Sequence, residues 1–190
     1  MEEKSILNII QKVKQGETQA FNEIILLYEK QVFNLAFRII KNREDAEEVA
    51  QDSFVKAYRR MKSFKGNSKF STWLYRITYN NSLNKISANK RLGFSEELDD
   101  DKLDSSINNH GMKDLLDAER KDFIQKALTK MSPQENTLLT LYYQNECELK
   151  EIEEITGINR NTVKVQLHRA RKRLEGHLQQ MLKYEIESIR

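Results

Sequence analysis

The chain has 190 residues, with 32 Lys and Arg against 29 Asp and Glu, and 38% of it is apolar. That length holds one domain or two small ones, and the thin apolar share favours small helical units over one large core. One Pro and six Gly exclude a turn-rich β-sandwich or barrel, and the single cysteine, Cys147, excludes an intrachain disulfide and a cysteine zinc site. No run approaches the ~20 apolar residues of a membrane span, and the acidic opening MEEKSILNIIQKVKQGE is unlike a signal peptide. An all-α, soluble, cytoplasmic protein without membrane insertion is expected.

Helical spacing begins with Ile6, Ile9, Ile10 and Val13. A long helix with a wide apolar face is predicted over 18–41, through Phe21, Ile24, Tyr28, Val32, Leu35 and Ile39. The pattern repeats over 43–62 with Ala46, Ala50, Phe54, Ala57 and Met61. A polar break, KSFKGNSKFS (62–71), precedes a helix from Thr72 to about Ser87. Residues 1–92 form one helical unit.

Residues 93–112 have no sustained periodicity and carry six acids together with Gly93 and Gly111. They read as an acidic linker, able to reach roughly 65–70 Å when extended. Helices resume over 113–190. Ser132-Pro133-Gln134-Glu135 is a helix start, with Ser132 as cap, Pro133 at N1 and Glu135 reaching back. That helix is predicted to run through Tyr142. A short helix follows over about 148–156 and stops at Gly157. The last helix starts at Asn159, with Ile158 and Val163 placed for a hydrophobic staple.

Short helix, Gly turn and longer helix give helix-turn-helix spacing. Val163, Leu167, Ala170 and Leu174 make one apolar stripe, expected to pack on Leu149, Ile152 and Ile155. The other face carries Arg160, Asn161, Lys164, His168, Arg171 and Lys172. A helix reading the major groove needs this layout, with polar side chains for base edges and cations for phosphates. The simplest competing reading is a solvated basic face. The Gly turn and the lack of any acid from Ile155 to Leu174 argue against it. Use as a membrane-surface or calmodulin-type helix needs a free apolar face, and the turn motif already occupies that face.

A second acid-free stretch, 53–95, holds ten Lys or Arg and eight aromatics. Cations that track a backbone and rings that stack on bases suit single-stranded nucleic acid. Trp73, Arg76 and Asn80 share one helix face, while Leu74 and Ile77 face the bundle. The loop Lys65-Gly66-Asn67-Ser68-Lys69-Phe70 is small and positive. Phe54, Phe64 and Tyr58 are candidates for the core, and Trp73 stays open between core and base stacking. Just upstream, REDAEEVAQD (43–52) holds five acids, with Asp45, Glu48 and Asp52 on one stripe. Acids near a helix start complement its dipole, but Asp52 lies too far along for that. The stripe suggests a basic protein partner.

The stretch 45–84, DAEEVAQDSFVKAYRRMKSFKGNSKFSTWLYRITYNNSLN, taken with 158–174, INRNTVKVQLHRARKRL, resembles the extracytoplasmic-function (ECF) group of bacterial RNA polymerase sigma factors over nearly the whole chain. The resemblance implies two small helical domains joined by the acidic linker: region 2 over 1–92 and region 4 over 113–190. It implies that Asp45, Glu48, Gln51 and Asp52 dock on the β′ clamp helices of core RNA polymerase. Lys65, Asn67, Ser68, Lys69, Phe70, Trp73, Arg76 and Asn80 would bind the melted −10 element of promoter DNA. Arg160, Asn161, Thr162, Lys164, Val165, His168, Arg169, Arg171 and Lys172 would read the −35 element as duplex. The resemblance also implies a β flap contact, a linker threaded along the polymerase channels, and an anti-sigma factor as a further partner. Glu148, Glu153 and Cys147 depart from the family's usual residues in the first helix of the turn motif.

Two other classes compete. A stand-alone helix-turn-helix regulator would need an exposed apolar face for dimerisation, where the sequence offers a basic-aromatic one. An enzyme acting on nucleic acid would need a catalytic constellation. His110, His168 and His177 are scattered without metal spacing, and the carboxylate clusters have no His or Lys partner in phase. No catalytic, cofactor or metal site is expected, so the chain reads as no enzyme.

Overall fold

The computed structural model describes residues 3–92 and 123–188, with side chains over 5–92 and 123–183. The segment read as a linker, 93–112, and the first part of the helix expected from 113 lie outside the described residues. Those residues form helices α1 (Glu3–Lys14), α2 (Ala20–Ile40), α3 (Arg43–Arg59) and α4 (Phe70–Arg91). After the undescribed segment come α5 (123–129), α6 (Pro133–Leu139), α7 (Leu149–Thr156) and α8 (Arg160–Ser188). Among the described residues there is no strand. The all-α expectation holds.

In the N-terminal unit α2, α3 and α4 pack on one another, with α1 laid against α2. Ile24, Val32, Leu35 and Leu74 are fully buried at its centre. The corner between α2 and α3 is tight. Lys41 takes a left-handed φ of 61° and its N–H donates to the Phe37 carbonyl at 2.8 Å. Asn42 then caps α3, its side chain accepting from the Asp45 amide at 2.9 Å. The α3–α4 contact is lined by small hydroxyls. Ser53, Thr78 and Ser82 are buried and donate to carbonyls four residues back in their own helices, and Ser53 also accepts from the Asn81 side chain of α4 at 3.1 Å across the interface.

Helix α4 starts two residues earlier than the sequence pattern predicted and runs to Arg91. The reason is Phe70, which is 3% exposed and pulls the first turn down onto Phe64 and Tyr28, at ring separations of 5.5 and 5.9 Å.

The C-terminal unit is organised by its local signals. Ser132 and Glu135 form the expected reciprocal capping box with Pro133 in the first turn. The helix they open does not run on as a plain α-helix. It widens into a π turn over Thr140–Gln144, where the Asn145 amide donates to the Thr140 carbonyl at 3.0 Å. Glu146 then takes a left-handed φ of 52°, and the chain reverses into α7. Gly157 ends α7 with a φ of 74°, a conformation that favours glycine. Val163, Leu167 and Ala170 of α8 pack with Ile152 and Ile155 of α7, all 2% exposed or less. Ile158 packs against the same cluster. The core is continuous across both units, because α2 and α4 also pack on α6, the π turn and α7.

Candidate nucleic-acid interface

Two surfaces carry the expected contacts. The first is α8. Its apolar stripe is filled by α7, so Arg160, Asn161, Thr162, Lys164, Val165, His168, Arg169, Arg171 and Lys172 are all exposed. The helix start is doubly capped. The Asn159 side chain accepts from the Asn161 amide at 3.0 Å, and Glu153 accepts from the Arg160 amide at 3.0 Å. The departure at Glu153 thus has a local use: its carboxylate closes the turn and neutralises the helix start.

The basic face is not uniform. The Arg171 guanidinium lies over the rings of Tyr142 and Tyr143, at 5.1 and 5.3 Å, and Arg173 pairs with Glu135 at 2.8 Å. Among the described residues no ion pair holds the heads of Arg160, Lys164, Arg169 or Lys172. These four are the cations free to meet phosphates.

The second surface is the loop before α4 with the face behind it. Lys65, Gly66 and Asn67 are exposed, and Ser68 is half-buried. Gly66 takes a φ of 73°, which a side chain would strain. The loop is anchored from beneath by rings. Trp73 packs on Phe64 and Phe70 at 5.3 and 5.6 Å, and Lys14 donates to the Phe64 carbonyl at 2.6 Å. Trp73 is half-buried while Arg76 and Asn80 are exposed on the same side of α4. The question left open for Trp73 has a mixed answer, with one part of the ring in the core and the rest at the surface. Phe70 is placed differently from its expected role: its ring is sealed in the aromatic cluster. Phe54 and Phe64 are buried as expected, whereas Tyr58 is 39% exposed.

The acidic stripe on α3 is partly neutralised from within. Lys85 of α4 pairs with Asp45 at 3.1 Å and with Glu48 at 2.6 Å, and those carboxylates raise its pKa against some burial. Asn89 donates to the other Asp45 oxygen at 2.7 Å. Gln51 and Asp52 are exposed. No side-chain bond involves Asp52 among the described residues, so its charge is the one left open on the stripe.

Two residues at these surfaces, Thr72 and Glu151, gave no signal in the sequence. Thr72, at the start of α4, is 2% exposed and donates to Glu151 of α7 at 2.9 Å. Lys69 pairs with the same Glu151 oxygen at 3.1 Å. Cys147 sits beside this junction. Burial pushes its thiol up to about 12, with Glu151 adding and Lys69 opposing, so it is a small buried hydrophobe with too little thiolate for redox chemistry.

Comparison with known proteins agrees with this architecture. The family model for sigma-70 region 2 matches residues 24–92, and that for sigma-70 region 4 matches 123–174. The ECF RNA polymerase sigma factor SigW of Bacillus subtilis is 33% identical over 189 residues, covering 94% of this chain and all of the relative. The ECF RNA polymerase sigma-E factor of Haemophilus influenzae is 30% identical, covering 92% of this chain and 95% of the relative. In fold, the chain is similar to CnrH, solved with the cytosolic domain of CnrY, at a TM-score of 0.61 and 20% identity over 90% of this chain and 95% of that one. It is also similar to the sigma factor RpoE of Bartonella quintana, solved with the anti-sigma factor NepR, at 0.67 and 22% over 84% and 96%. Sigma factors initiate transcription and are not enzymes, and the chain belongs to the ECF group of RNA polymerase sigma factors.

Proposed function

We propose that this sigma factor directs promoter-specific initiation by reading two physical forms of one promoter. Helix α8 reads the −35 element as intact duplex, and the 65–70 loop with Trp73, Arg76 and Asn80 holds the melted −10 strand. The observation that carries the reading is the difference in construction of the two cationic surfaces. Helix α8 is a single exposed helix face over a filled apolar stripe, which suits a major groove. The loop displays an exposed Asn67, and α4 behind it a half-buried indole, which suits unpaired bases. Phe70 supports that loop from below.

In this reading residues 1–92 are the −10 and polymerase-docking domain, 113–190 the −35 domain, and 93–112 the tether. Core polymerase is met at the clamp helices of β′ through the Asp52 end of the acidic stripe, and at the β flap through the C-terminal domain. An anti-sigma factor is a fitting further partner, since RpoE and NepR were solved as such a pair.

The test is a gel shift of promoter duplex by the purified chain, with and without core polymerase. Specific binding should appear only with core, because one of the two readers needs opened strands. Tight specific binding by the chain alone would favour the stand-alone regulator.

A further inference from the structure

The contact between the two units joins two opposed features. On one side, the Glu151 carboxylate of α7 rests on Lys69 and Thr72 at the start of α4, at 3.1 and 2.9 Å. The first turn of α4 has no acid of its own, so its free amides and the Lys69 charge favour an anion there. Glu151 supplies that anion from the other unit. Burial raises its pKa, but the Glu148 amide, Lys69 and Thr72 outweigh this and hold it below its ordinary range. An ammonium and a hydroxyl beside a helix start are donors of the kind that a backbone phosphate oxygen accepts from.

On the other side of the junction, Arg38 of α2 is 4% exposed, and among the described residues no acid lies against it. Among the described residues its side-chain partner is Gln125 of α5, and its Nε is buried without a hydrogen bond. Nearby, Lys41 donates to the Met131 carbonyl at 3.3 Å. Burying a cation without a counter-charge is costly, so this edge of the junction opposes closure while the Glu151 edge favours it. A contact balanced in this way is easily shifted by a partner that prefers one state.

We propose that Glu151 is an intramolecular latch: in the free chain it occupies the place of a −10 strand phosphate at Lys69 and Thr72, so α7 must leave before the melted strand is held. This rests on the −10 reading given above. The closed arrangement leaves the α8 face and Asp52 exposed. The free chain can therefore still offer its duplex-reading helix and its polymerase-docking acid while its strand-reading edge is shut. Thr72 joins the strand-contacting residues, and Glu151 is the competitor for that contact.

Two variants of the full chain test the latch. Glu151→Gln removes the charge but keeps an oxygen to accept from the Glu148 amide, as a capping box allows. Gln125→Ala loosens the junction from the Arg38 side without touching the loop. Each is expected to speed backbone hydrogen exchange over residues 69–75. Each should also tighten binding of a fluorescein-labelled, randomised single-stranded oligonucleotide by about five-fold or more, the lower end of usual coupling between sites. Faster exchange with unchanged oligonucleotide affinity, or no change in either, overturns the latch while leaving the −10 reading standing. Failure of the wild type and both variants to bind the strand, even with core polymerase added, sinks the −10 reading and the latch with it.

Discussion

Of the six Lys and Arg on the N-terminal half of α8, four have heads that no ion pair or aromatic ring holds among the described residues: Arg160, Lys164, Arg169 and Lys172. Each phosphate contact contributes about −0.9 to the slope of log K against log salt, so α8 should contribute about −3.6. Replacing Lys164 and Lys172 by Ala removes two contacts and should reduce the slope by about 1.8. From about 50 to 200 mM salt, the four-contact helix then loses roughly 150-fold in affinity and the two-contact variant roughly 12-fold. Both side chains are exposed and Ala favours helix, so the fold is kept. Fluorescence anisotropy on a mixed-sequence duplex measures the slope directly, since phosphate contacts carry no sequence information. Equal slopes for wild type and variant would refute the placement of DNA along this face.

Asp52→Lys should abolish capture of the chain by core polymerase in a pull-down while leaving the melting temperature unchanged, because the carboxylate holds nothing within the described fold. Unchanged capture contradicts the docking face. Leu167→Ala, at a position 2% exposed between α7 and α8, should cost about 2–5 kcal/mol, read by urea unfolding; a cost below about 1 kcal/mol would mean that the stripe is not packed. Arg38→Met replaces a buried guanidinium that has no counter-charge among the described residues with an apolar chain of similar length and should raise the urea midpoint; a clear fall would mean that its bond to Gln125 outweighs its burial. Glu135 is raised by burial but held lower overall by Ser132 and Arg173. A carboxyl depressed in the folded state adds stability above its unfolded pKa and loses it as pH falls through the folded value. Glu135→Gln should therefore flatten part of the decline in urea midpoint seen on acidifying below about pH 4, and an unaltered decline contradicts the pairing.

What could be read from the sequence was what neighbouring residues decide. The Ser132–Glu135 box and the left-handed Gly157 each depend on spacing within one turn of helix, and each is found in the structure. The apolar stripe on α8 was legible for the same reason. What escaped depends on distant segments. Phe70 follows a polar loop and looks exposed until Tyr28, Phe64 and Trp73 are brought round it. Arg38 looks like a surface cation until α5 covers it. Lys85 lies thirty-seven positions from Glu48, so the partial neutralisation of the acidic stripe has no local pattern. The π turn over Thr140–Gln144 likewise has no signal in the residues along 138–144.

Run-off transcription on genomic promoter fragments tests the central claim most directly, with core polymerase supplied alone or together with this chain. Discrete transcripts that appear only when the chain is present, and that vanish with Asp52→Lys, are the predicted result. Identical transcripts with and without the chain, alongside tight sequence-specific duplex binding by the chain alone, would contradict it.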